Sequence, residues 1–201
     1  MASLWTLLRP RMQHVDWVQG LAIAEPVYLD ANILVGSLIS NHPLYSKCAN
    51  LLGRLLADKV EIMLSVVCVD ESIWALAKLA YCEMHNYIPS KTLWNPSIYR
   101  RHRDAILQSY ESWISSVGKA VEDWTTAGAK IDVVPETRQL FQDVLALIPV
   151  YMKEVKLTPG DAVHLAIAGK HARSFLTADS DFDEVRQNPP QGDLVVIKVT
   201  A

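Results

Sequence analysis

Paired cysteines are missing from this sequence. Its three cysteines, Cys48, Cys68 and Cys82, stand far apart in apolar surroundings. That spacing excludes a zinc-ribbon site and a disulfide framework, and suits buried thiols in a reducing compartment. The six histidines show no zinc-like pairing either. No run of apolar residues approaches the ~20 of a membrane span. Arg9, Arg11, His14 and Asp16 interrupt any signal-peptide core near the N-terminus. No Gly-rich phosphate loop is present, which leaves nucleoside-triphosphate hydrolysis without its usual cradle. A net basic charge is also lacking: the formal charge is −3, so any nucleic acid must be met by a local patch. No repeat or linker divides the chain. The expectation from these absences is a soluble, cytoplasmic globular protein.

With half of its 201 residues hydrophobic, the chain can bury a full core. From residue 26 onward, short apolar runs alternate with segments of helical period. Pro26–Leu29, Val60–Leu64, Ile131–Val134, Ser174–Thr177 and Asp193–Val199 read as strands. Helices are expected over 43–57, from Ser65 as N-cap to about His85, over 99–126, over 136–153, and from Thr158 as N-cap with Pro159 behind it. The order implies an α/β domain, a mostly parallel sheet with helices on both faces and right-handed crossovers. Residues 1–25 carry Trp5, Leu7, Leu8, Met12, Val15, Trp17, Val18 and Leu21, and are expected to form an N-terminal extension, partly helical and broken near Pro10. A second N-cap is expected at Asn32.

Acids recur where strands end or helices begin. Asp30 closes the first strand, Glu71 lies near the start of the helix after the second, Asp161 opens a helix, and Asp179 follows the next strand. Each has an ordinary alternative. Asp161 stands three residues after Thr158 and can complete a capping box; Asp179 and Asp181 can be turn residues bonded to their own backbone; Asp70 and Glu71 can be solvated surface. In a parallel sheet, however, all four could meet at the carboxyl ends of the strands, where ligands of open α/β sheets bind. No lysine or histidine cluster is evident to neutralise them, and four unpaired carboxylates would raise one another's pKa. A hard divalent cation on oxygen ligands, Mg²⁺ or Mn²⁺, is the economical explanation. Such sites activate water and clamp phosphate oxygens during an in-line displacement. Arg100, Arg101 and Arg103 form a short basic run, near Lys91 and Trp94, that is either a solvated helix end or a phosphate-binding patch.

Four stretches, Tyr28–Leu34, Ser65–Glu71, Leu157–Ala166 and Leu176–Phe182, resemble the motifs of PIN-domain ribonucleases, in particular the VapC-like toxin branch. The resemblance covers about residues 26–200. It implies a PIN-like three-layer fold over 26–201, with a long helical segment at about 86–130 that compact members lack. It also implies a metal-dependent endoribonuclease, with Asp30, Glu71, Asp161 and Asp179 as metal and catalytic acids and Asn32, Thr177 and Asp181 as supporting polar groups. Asp70 beside Glu71 leaves a second candidate for that ligand, and His164 is read as structural. Implied partners are an RNA substrate, a cognate antitoxin protein and a second copy of the chain. Two other functions fit the residues: a nuclease or phosphatase acting on DNA or other phosphate esters, and a non-catalytic module that binds RNA or protein. The intact set of four acids weighs against the second.

Overall fold

The computed structural model describes residues 10–86, 96–135 and 137–200. Trp5, Leu7 and Leu8 of the N-terminal extension, and Lys91 and Trp94 beside the basic run, lie outside the described residues. A parallel sheet of six strands, in the order β1-β6-β5-β2-β3-β4, forms the central layer. The strands are β1 (Gln13–Asp16), β2 (Val27–Leu29), β3 (Glu61–Leu64), β4 (Lys130–Val133), β5 (Ser174–Thr177) and β6 (Val195–Lys198). The helices are α1 (Ala31–Leu38), α2 (Tyr45–Ala57), α3 (Val66–Met84), α4 (Pro96–Thr126), α5 (Arg138–Glu154), α6 (Pro159–His171) and α7 (Asp183–Gln187), with a 3₁₀ turn at Ser180–Phe182.

Alternation along the central strands loads both faces with apolar groups, as a sheet covered on both sides requires. Tyr28, Met63, Phe175 and Val196 pack on one side with Val144 and Tyr151 of α5 and Leu165 of α6. Val27, Leu29, Ile62, Leu64, Leu176 and Ile197 pack on the other with Ile33, Cys48, Leu51, Leu55 and Cys68 of α1, α2 and α3. The three cysteines are buried free thiols. Helix α4 does not reach the sheet centre; its Val117 packs with Ile73 and Leu76 of α3, and its Ile106 with Tyr81 of α3, so it adds an outer layer beside α3. No described helix is long and apolar enough to cross a membrane.

Two expectations are corrected. Residues 13–16, expected to be helical, form β1, which pairs with β6 from Gln13–Val195 to Asp16–Lys198. The apolar spacing of Trp17, Val18 and Leu21 mimics a helix locally, but pairing with a strand about 180 residues away outweighs that weak propensity. The second correction concerns the start of α1. Its N-cap is Asp30 rather than Asn32; the Asp30 backbone is extended and its carboxylate accepts from the Ala31 N–H. The topology also defines a switch point. The chain leaves β2 toward β3 and β4 on one side, then returns through α6 to β5 on the other, so connections diverge above the adjacent carboxyl ends of β2 and β5.

Candidate active site

Above that switch point lies a cavity of about 780 Å³, and Asp30, Glu71, Asp161 and Asp179 all line it. Each arrives by a different local device. Asp30 is the last residue before α1, directly after β2. Glu71 is carried by α3, whose first turn is capped by the Ser65 hydroxyl accepting from the Cys68 N–H. Asp161 sits in the first turn of α6, where its carboxylate accepts the Thr158 hydroxyl at 2.5 Å and its N–H donates to the Thr158 oxygen at 3.4 Å. Thr158 therefore caps the helix through the Asp161 N–H, while the Asp161 carboxylate takes the Thr158 hydroxyl instead of the backbone N–H that a full capping box would use, and the same residue lines the cavity. Asp179 caps the 3₁₀ turn by accepting from the Asp181 N–H at 2.9 Å, and it too lines the cavity.

Asp30 is held most firmly. Its Oδ1 accepts from the Ala31 N–H at 2.8 Å, and its Oδ2 accepts from Asn32 Nδ2 at 2.8 Å and from the Thr177 hydroxyl at 2.6 Å. The Asn32 carbonyl oxygen accepts from the Ala178 N–H, tying α1 to the end of β5. Asn32 and Thr177 thus both hold the same oxygen of Asp30. Asp181 is exposed and absent from the cavity lining, and it meets Asp179 through its backbone N–H. Of the adjacent acids, Glu71 faces the cavity, while Asp70 accepts from the Tyr110 hydroxyl of α4 at 2.7 Å.

The expectation of acids without nearby bases is corrected. His164, three residues after Asp161 and therefore on the same face of α6, is 2% exposed and places Nε2 at 2.8 Å from Glu71 Oε2. Its Nδ1 lies 2.9 Å from the Tyr28 hydroxyl, which in turn lies 2.6 Å from the Ser65 hydroxyl. A buried chain thus runs from the cap of α3 through β2 and α6 to the Glu71 carboxylate. Asp30, Glu71 and His164 each offer a ligand atom within 4.8 Å of the other two. Lys78, two helical turns beyond Glu71, lines the same cavity, as does His42. Both Lys78 and His164 were legible as one-face neighbours of an acid at i+7 and i+3, a signal that linear counting of basic residues hides.

Burial and like charge set the electrostatics. Desolvation pushes the Asp30 carboxyl above its ordinary range, and Asp179 adds to the rise, against the pull of His164 and the Thr177 and Ala31 hydrogen bonds. Burial likewise raises Asp161, opposed by the Thr158 hydrogen bond and reinforced by Asp179 and Asp181. For His164, burial disfavours the charged ring, but the Glu71 hydrogen bond and the charges of Asp30, Glu71 and Asp161 together outweigh it and hold the imidazole above its usual value. Burial drives the Tyr28 phenol far up, so it stays a neutral hydrogen-bond relay. Burial lowers Lys78, with Glu71 opposing the fall.

The site's carboxylates keep capacity for a cation. Asp30 Oδ2 already accepts two hydrogen bonds, while Oδ1 accepts one and keeps a lone pair. Asp161 and Asp179 each commit one oxygen to a protein donor and retain capacity on the other. The ligand atoms that lie close enough to share one ion are those of Asp30, Glu71 and His164, two carboxylates and an imidazole, while Asp161 and Asp179 line the same cavity outside that group. Arg100, Arg101 and Arg103 lie outside the cavity lining, exposed near the start of α4. Between them, His102 bonds Tyr81 of α3, one turn beyond Lys78.

An all-parallel α/β sheet with a carboxylate cluster at its switch point defines a class of acid-site α/β proteins. The PIN domain profile matches residues 27–188, and the chain belongs to the PIN domain family, whose members are generally nucleases. The crystal structure of VapBC2 from Rickettsia felis bound to a DNA fragment from their promoter aligns with a TM-score of 0.44 at 13% identity, over 85% of this chain and 96% of that one. FitAcB from Neisseria gonorrhoeae aligns with a TM-score of 0.41 at 16% identity, over 86% and 96%. No curated protein matches the sequence.

Proposed function

We propose that this protein is a metal-dependent endoribonuclease that hydrolyses RNA phosphodiester bonds with Mg²⁺ or Mn²⁺. The observation that carries the proposal is the convergence of Asp30, Glu71, Asp161 and Asp179, from four separate segments, on one cavity at the switch point of a PIN domain. Asp30, Glu71, Asp161 and Asp179 would hold the ion. When bound, it supplies Lewis acidity toward phosphate oxygens. The protein's own part is orientation. Three donors fix the Asp30 carboxylate, the Ser65–Tyr28–His164 chain fixes Glu71, and the Thr158 hydroxyl fixes Asp161. One of these carboxylates orients the attacking water. Arg100, Arg101 and Arg103 bind RNA away from the chemistry.

By the resemblance of its motifs to the VapC-like branch, the protein is further proposed to be a cytoplasmic toxin of a toxin–antitoxin pair. Its partners would then be a cognate antitoxin protein and a second copy of itself. Cleavage of matched RNA and DNA oligonucleotides with Mg²⁺, Mn²⁺ or chelator tests the enzymatic core. RNA cleavage that chelator and Glu71→Gln both abolish supports it. Equal cleavage of DNA would favour a broader phosphodiesterase, and RNA binding without cleavage under any metal would leave a binding module.

A further inference from the structure

Strand β4 ends the sheet and, among the described residues, pairs on one side only, with β3. The Val134 N–H donates to the Leu64 carbonyl at 2.8 Å, so even-numbered residues turn their backbone groups toward β3, while Ile131 and Val133 turn theirs to the open edge. The side chains of Lys130 and Asp132 stand on the Met63 face of the sheet, the face that α5 covers. Both are exposed, and neither has an ion-pair partner among the described residues. Helix α5 adds an apolar flank beside them. Its Asp143 pairs with Lys170 of α6 at 3.1 Å and marks the flank turned toward α6. At about 100° per residue, Phe141, Leu145 and Met152 lie roughly 160–200° round from Asp143, on the flank turned away. Phe141 and Leu145 are 63% and 51% exposed. Helix α5 follows β4 and α6 leads into β5, so the flank turned away from α6 is the one on the β4 side.

We propose that this edge seats a second copy of the chain: β4 pairs antiparallel with β4 of the copy about a two-fold axis at Ile131, and the two sheets join into one. The inference rests on the second-copy reading above and gives it a surface; the nuclease reading does not enter. Charge fixes both the occupant and the register. The open backbone groups match only where an odd-numbered residue faces an odd-numbered one. Centred on Ile131, Lys130 of each copy faces Asp132 of the other, twice by symmetry. A shift of the axis by one residue sets Lys130 against Lys130 or Asp132 against Asp132, which repels. Each attractive pair multiplies the association constant by about 1.4 to 5. A lone lysine on an edge keeps other strands away, whereas a lysine and an aspartate two residues apart admit the chain's own copy in that one register. An unrelated strand would have to carry the same alternation. Four residues are too few for a stable interface, which takes about 20–30 residues a side. The two-fold axis stands perpendicular to the joined sheet, so it also brings the Phe141–Leu145–Met152 flanks of the two copies toward each other, on the face that holds the charge pairs.

Sedimentation equilibrium of the full chain, at low salt and with chelator, tests the proposal. The wild type should dimerise. Lys130→Glu sets acid opposite acid in both pairs, and Asp132→Lys sets base opposite base. Each alone should weaken dimerisation by about 4- to 600-fold, two attractions being lost and two repulsions gained. Mixed in equal amounts, the two variants should associate with each other at near wild-type strength, because every cross-strand contact is again acid opposite base. The double variant should dimerise with itself for the same reason. Phe141→Asp should weaken dimerisation in a way that no charge swap on β4 restores. All three side chains are exposed, so the variants should unfold like the wild type apart from the coupling of stability to dimerisation. A wild type that stays monomeric removes the second-copy reading and this surface with it, and leaves the edge to a strand of another protein. A wild-type dimer indifferent to the single charge reversals, or folded single variants that fail to associate on mixing, overturns this surface while the second-copy reading stands. Metal-dependent cleavage, scored separately, bears on the nuclease reading alone.

Discussion

Replacing Thr177 by valine keeps the shape of a fully buried side chain and deletes one hydroxyl. That hydroxyl donates to Asp30 Oδ2 at 2.6 Å and accepts from the Asp179 N–H at 3.0 Å. Loss of a hydrogen bond to a charged group costs about 1.5–3 kcal/mol, and the half-buried N–H left without its acceptor adds about 1 kcal/mol. The expected destabilisation is about 2–4 kcal/mol, which for a chain of this size lowers Tm by roughly 5–15 °C. Thr177→Ser keeps the hydroxyl and should lose only about 1 kcal/mol, for the missing methyl. Chemical and thermal unfolding with chelator present measure both. The pH dependence carries a sign. Burial already holds Asp30 above the unfolded-state value of 3.8, so its own contribution to stability is fully present below 3.8 and is lost as pH rises through the folded-state pKa. The Thr177 bond favours the ionised form, and its removal raises the folded pKa further. The valine deficit should therefore be largest at neutral pH and shrink as acid protonates Asp30. A valine variant within 0.5 kcal/mol of the serine variant at neutral pH, or a deficit that grows on acidification, would refute this account of how Asp30 is held (about 0.5 kcal/mol being the usual scatter of neutral substitutions).

Asp161→Asn removes one of several crowded charges but weakens the hydrogen bond from the Thr158 hydroxyl, so with chelator its stability at neutral pH should stay within about 1 kcal/mol of wild type. Because Asp161 is raised above 3.8, the substitution should also flatten the fall of stability as pH rises through its folded pKa, and metal-dependent cleavage should be lost; normal cleavage per folded molecule would remove Asp161 from the metal site. Alanine at Arg100, Arg101 and Arg103 together should weaken RNA binding and reduce the salt slope by about 0.7 for each phosphate no longer neutralised, measured by titration at several salt concentrations. A Cβ at Gly36 would come within 2.9 Å of Cys48 Sγ, where α1 crosses α2. Gly36→Ala should therefore destabilise by about 1–3 kcal/mol of overpacking, less about 1 kcal/mol of helix propensity, and pairing it with Cys48→Ala should cost less than the sum of the two single changes in unfolding experiments.

Local chemistry was enough to read the helix caps at Ser65 and Thr158, the fully buried strands β2 and β5, and the acids that follow them. These features depend on residues a few positions apart, and the continuous apolar run of a two-faced strand admits few other structures. The order of acids along the chain could suggest a shared edge, and the parallel topology brings them there. What needed the tertiary structure were interactions between segments far apart in sequence. Residues 13–16 become a strand because β6 offers an open edge, and nothing in their own sequence states that offer. His164 reads as an apolar-face histidine until α6 is laid over β2, when it meets Tyr28 on one side and Glu71 on the other. Lys78 and Trp74 read as one face of a long helix until α1 closes the opposite side of the cavity. Side-chain period says which face a residue occupies; only packing decides what that face meets, because the partner's position is set by the whole sheet order rather than by any local preference.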